Sequence, residues 1–197
     1  MIKKKGLLLV ISGPSGAGKG TVCKELLERN PEFKLSVSAT TRAPREGEVD
    51  GESYFFLTKE KFSEMIGQGG FLEYAQIYSN FYGTPKGPVM KYLEEGSDVI
   101  LEIEMQGARQ VKEMYPEAVL IFVLPPSLEE LRNRLTTRGT ETQEQVDERL
   151  STSFEEIKQV KDYNYFIFNE NNKTTESAMI IENLIVAEKN KASRYEK

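Results

Sequence analysis

The feature that most narrows what this chain can fold into is a glycine-rich turn, Gly13-Pro14-Ser15-Gly16-Ala17-Gly18-Lys19, directly after a continuous apolar run at residues 7–11 (LLLVI). A run without polar alternation reads as a strand buried on both faces, the usual state of a strand inside a parallel sheet. After the glycines, Val22, Leu26 and Leu27 recur at helical spacing until Asn30-Pro31 ends the helix. In this strand–turn–helix setting, successive backbone N–H groups can curl around phosphate oxygens, and the helix N-terminus adds positive potential. Lys19 stands where an ammonium would reach the β- and γ-phosphates of a nucleoside triphosphate. The hydroxyl residue that usually comes next and binds Mg²⁺ is replaced by Gly20, with Thr21 following. That leaves no assured side-chain ligand for the metal.

Two further runs read as buried strands, residues 98–104 (DVILEIE), with carboxylates at the C-terminal end, and 118–124 (AVLIFVL), and residues 165–168 (YFIF) are a fourth candidate strand. Pro125-Pro126 stops the second, and Ser127 with Glu130 forms a capping box for the next helix. Thr142 with Gln145 looks like another, opening a helix whose apolar face is Val146, Leu150, Phe154 and Ile157. The last helix carries Ala178, Ile181, Leu184 and Ile185. Strands alternating with helices predict an α/β fold, a P-loop core whose parallel sheet is flanked by helices. Two stretches break the rhythm. Residues 35–90 hold short alternating segments rich in Gly, Tyr and Arg, and read as an inserted subdomain. Residues 136–142 (TTRGTET) are a polar loop flanked by arginines. Inserts of this kind suit an acceptor site and a lid.

Composition excludes several chemistries. The 197 residues suffice for one α/β domain with small insertions. A net charge of −5 argues against a nucleic-acid or membrane surface. Histidine is absent, which removes Ser–His nucleophilic catalysis, histidine metal ligands and imidazole acid–base work. Phosphoryl transfer survives that exclusion, because it relies on positioning and charge stabilisation. The single cysteine, Cys23, reads as a small core residue and fits a cytoplasmic protein. The apolar run at residues 7–11 is too short for a signal or membrane segment.

Arg42 and Arg45 lie beside small hydroxyl residues in residues 36–45 (SVSATTRAPR), where arginine forks suit bidentate phosphate binding. The alternative is ordinary surface charge. Arg134 and Arg138 are four apart and Arg149 lies one helix on. Around a mobile loop they would stabilise charge developing during transfer; otherwise they form a solvated basic face. If the loop is a lid, Arg134 and Arg138 are expected to stand far from the phosphates in its open form.

The order GPSGAGKG, SVSATTRAPREGEVDGESYFF, FLEYAQIYSNFYGTP, LEIEMQGA, PPSLEELRNRL and RGTET resembles the bacterial guanylate kinase family over nearly the whole chain. The resemblance implies a P-loop nucleoside monophosphate kinase that converts ATP and GMP to ADP and GDP with Mg²⁺. It implies a core of about residues 1–34 and 91–197, a GMP-binding insert of about 35–90 and a lid of about 134–150. It assigns Arg42, Arg45, Tyr54 and Tyr82 to the GMP phosphate, and Ser38, Glu73 and Thr84 to the guanine. Glu102 and Glu104 match acidic positions near the base and magnesium, with Thr21 and Glu102 as candidates to meet Mg²⁺ through water. Lys19, Arg42, Arg134, Arg138 and Arg149 match the catalytic cations, and Asn169 falls where the family approaches adenine. Gly20, Glu104 in place of a commoner Asp, and Tyr74 in place of a frequent Trp depart from the pattern. Two alternatives remain at this point: a non-catalytic guanylate-kinase-like binding module, and a P-loop kinase acting on another acceptor such as a ribose bisphosphate. Intact Gly18-Lys19 argues against the first. Glu73 with Ser38 and Thr84 argues against the second, since a sugar acceptor needs no guanine reader.

Overall fold

A computed structural model of the chain describes residues 5–137 and 143–194. In chain order the elements are β1 (Leu8–Ser12), α1 (Lys19–Arg29), β2 (Lys34–Leu35), β3 (Ala39–Thr40), β4 (Phe55–Phe56), α2 (Lys59–Gly67), β5 (Phe71–Ile77) and β6 (Asn80–Pro85). They continue with α3 (Lys86–Glu95), β7 (Val99–Glu102), α4 (Met105–Met114), β8 (Val119–Leu124), α5 (Leu128–Thr137), α6 (Gln143–Ile157), β9 (Tyr165–Phe168) and α7 (Thr174–Lys189).

The main sheet has the order β2-β7-β1-β8-β9, and every pairing in it is parallel. Strand β1 occupies the centre, with Leu9 in register with Ile100 on one side and Val119 on the other. Its alternate residues feed opposite layers. Leu9 and Ile11 join Val22 and Leu26 of α1 and Ile181 of α7. Leu8 and Val10 join Leu93 of α3, Leu101 of β7 and Val111 of α4. Each such fully buried aliphatic side chain contributes about 1.5–3 kcal/mol. That burial on both faces is the physical meaning of the unbroken apolar runs.

The second sheet, β4-β3-β6-β5, lies wholly within residues 35–90. It has a core of its own. Phe62 of α2 stacks on Phe71 at 4.3 Å between centroids and faces Phe81 at 5.5 Å. Thr58 caps α2 by accepting the Lys61 N–H at 3.1 Å. The two sheets are joined where β5 lies along α4. There the Gln110 amide accepts the Tyr74 N–H at 3.1 Å and donates to the Tyr74 carbonyl at 3.0 Å.

Helices α5 and α6 pack through Leu131, Leu135 and Val146, with Leu150 partly covered. Ser127 does cap α5, accepting the Glu130 N–H at 3.0 Å. The Thr142 cap falls outside the described residues. Phe154, expected on the apolar face of α6, is 49% exposed under the Lys158 ammonium. The inward stripe runs instead through Val146, Leu150, Ser153 and Ile157, one position away, and the buried Ser153 takes the place the phenylalanine was assigned. Among the described residues no helix is long and apolar enough to cross a membrane.

Candidate active site

The glycine turn sits at the C-terminal end of the central strand. Gly18 adopts a left-handed conformation (φ 88°), which lets the chain enter α1 while its backbone closes on Asn169. A Cβ on Gly18 would lie 2.3 Å from the Asn169 amide nitrogen. The Lys19 ammonium rests on the carbonyls of Gly13 at 2.6 Å and Pro14 at 3.3 Å. Asn169 is buried, and its amide donates to the Ala17 carbonyl at 2.9 Å, so it braces the turn from beneath.

Facing this turn is a cleft of about 1190 Å³ between the two sheets and α6. Seven residues singled out from the sequence line it together: Lys19, Ser38, Tyr54, Glu73, Tyr82, Glu102 and Glu104. Glu73 is the most enclosed of them, 7% exposed. Strand register sets Glu73 opposite Thr84, whose hydroxyl donates to Glu73 Oε1 at 2.6 Å. The other oxygen lies against Gly107 of α4, where a Cβ would approach Glu73 Oε2 to 2.7 Å. Burial pushes the Glu73 carboxyl above its ordinary range, against the opposing bonds from Thr84.

Glu102 opens to the cleft but is walled in enough that desolvation raises its pKa. Lys19 opposes that shift and Glu104 adds to it. The Glu102 carboxylate stands over Gly20: a Cβ there would be 3.3 Å from Oε1. The missing hydroxyl is thus matched by an acidic group in the same space.

The remaining expected residues lie outside the cleft lining. Arg42 is clamped by Glu48 and stacks on Tyr54, 5.5 Å from its ring centroid, with Tyr54 in edge contact with Tyr82. Arg45 is exposed and gives its backbone N–H to Glu48. Thr21 is exposed on the first turn of α1.

Two of the three later arginines stand against the glycine turn. Arg134 donates to the Ala17 carbonyl at 3.2 Å and the Asn169 carbonyl at 2.8 Å, and Arg149 donates to the Ser15 hydroxyl. Arg138 falls outside the described residues.

Three residues that the sequence reading did not single out belong to this picture. Gly107 makes room for Glu73, and its signal was a glycine inside a helix. Glu156 lines the cleft two turns beyond Arg149 on α6, near enough to Glu104 and Lys19 to feel both charges, and burial raises its pKa. Helical spacing from Arg149 would have found it. Glu48 is the third, one of several acidic residues in a polar loop.

A parallel sheet carrying a phosphate-binding turn at its central strand, with a second sheet across a cleft, defines a P-loop nucleotide-binding phosphotransferase. A family model described as Guanylate kinase matches residues 5–188. The guanylate kinase of Clostridioides difficile (strain 630) is 68% identical over 195 residues, which cover 99% of this chain and 94% of that one. That of Caldanaerobacter subterraneus subsp. tengcongensis is 55% identical over 193 residues, 98% and 93% of the two chains. The crystal structure of guanylate kinase from Anaplasma phagocytophilum matches with a TM-score of 0.76 at 36% identity, covering 98% of this chain and 90% of that one. The chain belongs to the guanylate kinase family.

Proposed function

We propose that the chain carries out its family's reaction, transfer of the γ-phosphoryl group of ATP to GMP, with ATP on the glycine turn and GMP on the wall formed by the inserted sheet. Lys19 leaves its two carbonyls and meets the β- and γ-phosphates, and Arg134, Arg138 and Arg149 stabilise charge on the transferring group. Arg42, Arg45, Tyr54 and Tyr82 take the acceptor phosphate, while Ser38, Glu73 and Thr84 read the base. Asn169 borders the adenine. Residues 35–90 act as the GMP-binding part and residues 134–150 as the lid. The reaction belongs to the cytoplasm, with two small-molecule substrates and no nucleic-acid partner.

Magnesium would enter with ATP. Among the described residues no three acidic groups converge to ligate a cation directly. The carboxylate of Glu102 over Gly20, with Thr21 next in the chain, suits a hydrated Mg²⁺ that takes its other ligands from phosphates. The ion would neutralise phosphate charge; Glu102 and Glu104 would hold its waters.

The observation that carries this reading is Glu73, buried in the cleft with one oxygen fixed by Thr84. Guanine presents N1–H and the N2 amine as adjacent donors, and a carboxylate accepts both. Adenine offers a lone pair at N1 and would leave a desolvated charge unmatched. Sites of this kind reject the mismatched ligand by about 10⁴-fold. The test is kcat/KM for GMP, IMP and AMP with wild type and Glu73→Gln. Wild type is expected to use GMP, to use IMP poorly and to reject AMP, and Glu73→Gln to narrow the GMP/AMP gap. A preference for AMP, or a ratio untouched by Glu73→Gln, overturns the assignment.

A further inference from the structure

We infer that Glu48 is a positioning residue for the acceptor phosphate, holding the Arg42 guanidinium by its Nη1–Nη2 edge beside the Tyr54 ring and leaving two of its donors for that phosphate. This rests on the reading that Arg42 takes that phosphate. Glu48 Oε2 and Oε1 accept from Arg42 Nη1 at 2.9 Å and Nη2 at 2.8 Å, a bidentate fork. Arg42 Nη1 also donates to the Ala43 carbonyl at 2.7 Å, and Glu48 Oε2 accepts the Arg45 N–H at 2.7 Å. One carboxylate therefore fixes both the side chain of Arg42 and the backbone of Arg45. The plane of the guanidinium is set by Tyr54 and Phe56, 5.5 and 5.9 Å from its centre. Its side chain is only 14% exposed, and it also interacts with the Tyr82 hydroxyl. A guanidinium has five N–H donors, so the three bonds named leave two, on Nε and Nη2, for other acceptors.

Glu48 acts on phosphate affinity with two opposite signs. Its negative charge offsets that of Arg42, and removing it would strengthen phosphate binding by about threefold at an exposed site. Its fork also removes the rotamer freedom of a long side chain, and releasing that freedom weakens binding by about tenfold, with the loop held at Arg45 adding to the loss. Positioning wins, and the net effect expected of Glu48→Gln is a roughly fivefold weakening.

The test compares the dissociation constant of GMP with the inhibition constant of guanosine, which lacks the phosphate, in wild type, Arg42→Ala, Glu48→Gln and the double variant. Glu48→Gln is expected to weaken GMP about fivefold, to leave guanosine unchanged, and to add little once Arg42 is gone. GMP binding that is unchanged or tighter in Glu48→Gln, or guanosine weakened equally, overturns the inference and leaves the Arg42 reading intact. If Arg42→Ala binds GMP as wild type does, the phosphate assignment falls and the inference with it. Should Glu48→Gln fail to fold, Glu48→Asp carries the comparison. It keeps the charge but is too short to reach both partners, and a phosphate-specific loss of about twofold to threefold is expected.

Discussion

On the glycine-turn wall of the cleft the Lys19 ammonium rests on two neutral carbonyls of its own turn, whereas on the inserted-sheet wall the Arg42 guanidinium is gripped by a carboxylate. Neutral acceptors hold a cation loosely enough to lose it to a polyphosphate. A bidentate carboxylate does not let go, and it leaves part of the fork for a second anion. In the function proposed above, the first wall supplies a cation that moves onto its ligand, and the second a cation already placed, to which the ligand must come. The two walls also differ in how they are built. The glycine turn is one contiguous segment shaped by its backbone, while the acceptor wall gathers side chains from β5, β6 and α4.

Replacing the mobile cation should have the largest effect. Lys19→Met is expected to lower turnover by about a hundredfold or more. The protein should still fold, and circular dichroism with steady-state kinetics checks both halves. Near wild-type turnover would break the assignment of the first wall. Next comes the contact that seats the base reader. Gly107→Ala sets a methyl group 2.7 Å from Glu73 Oε2. It should reduce kcat/KM for GMP about thirtyfold, the scale of a disturbed buried charged contact, with the KM for ATP unchanged. An equal loss for both substrates would mean that the two walls are not separable.

Acid should divide the carboxylates of the second wall. Burial raises the pKa of Glu73, so the folded state retains its proton more firmly than the unfolded chain. Its contribution to stability is fully present below the ordinary 4.5 and is lost as pH rises through the folded value. Its binding role runs the other way, since only the carboxylate accepts both guanine donors, and the KM for GMP should climb as pH falls through that value. Arg42, with the Arg45 N–H, lowers Glu48 from 4.5 to about 2. The stability Glu48 adds is present above 4.5 and disappears as pH falls toward about 2. Thermal melts of wild type, Glu48→Gln and Glu73→Gln across this range should show the two differences from wild type changing in opposite senses; parallel curves would refute the contrast. The smallest effect is expected at Gly20→Ser. A hydroxyl there meets Glu102, and the Mg²⁺ concentration giving half-maximal rate should shift about threefold at most, as for one water-mediated contact.

The main sheet was legible because β1 and β8 are buried throughout, β7 is buried up to its last residue, and the edge strand β9 is still a run of aromatic and aliphatic residues. Residues 165–168 coincide with β9, and the other three apolar runs begin or end within about two residues of β1, β7 and β8, the usual uncertainty at element ends. The inserted sheet was not readable strand by strand. Its β3 and β4 have two residues each, too few for alternation to be seen, and they are held by a phenylalanine cluster drawn from distant segments. Glu73, the proposed base reader, and Lys19 of the glycine turn were both named from sequence and line one cleft. Glu48 escaped notice because in REGEVDGE it is indistinguishable from solvated loop charge; only the fold sets it against Arg42. The arrangement of Arg134 against the turn was equally invisible, since its acceptors are backbone carbonyls that any residue would provide.

Cys23 has a practical consequence. It is the only cysteine in the chain, 2% exposed, and burial with the nearby Glu102 charge pushes its thiol well above the ordinary range. Maleimides and similar electrophiles react with exposed thiolates, so this thiol is silent toward them while the protein stays folded. A fluorophore pair can therefore be attached through two cysteines introduced at exposed positions, Glu52 on the insert and Glu170 beyond β9, without first removing the native one. Energy transfer between the dyes would follow the separation of the two sheets as each nucleotide is added, in an otherwise unaltered enzyme.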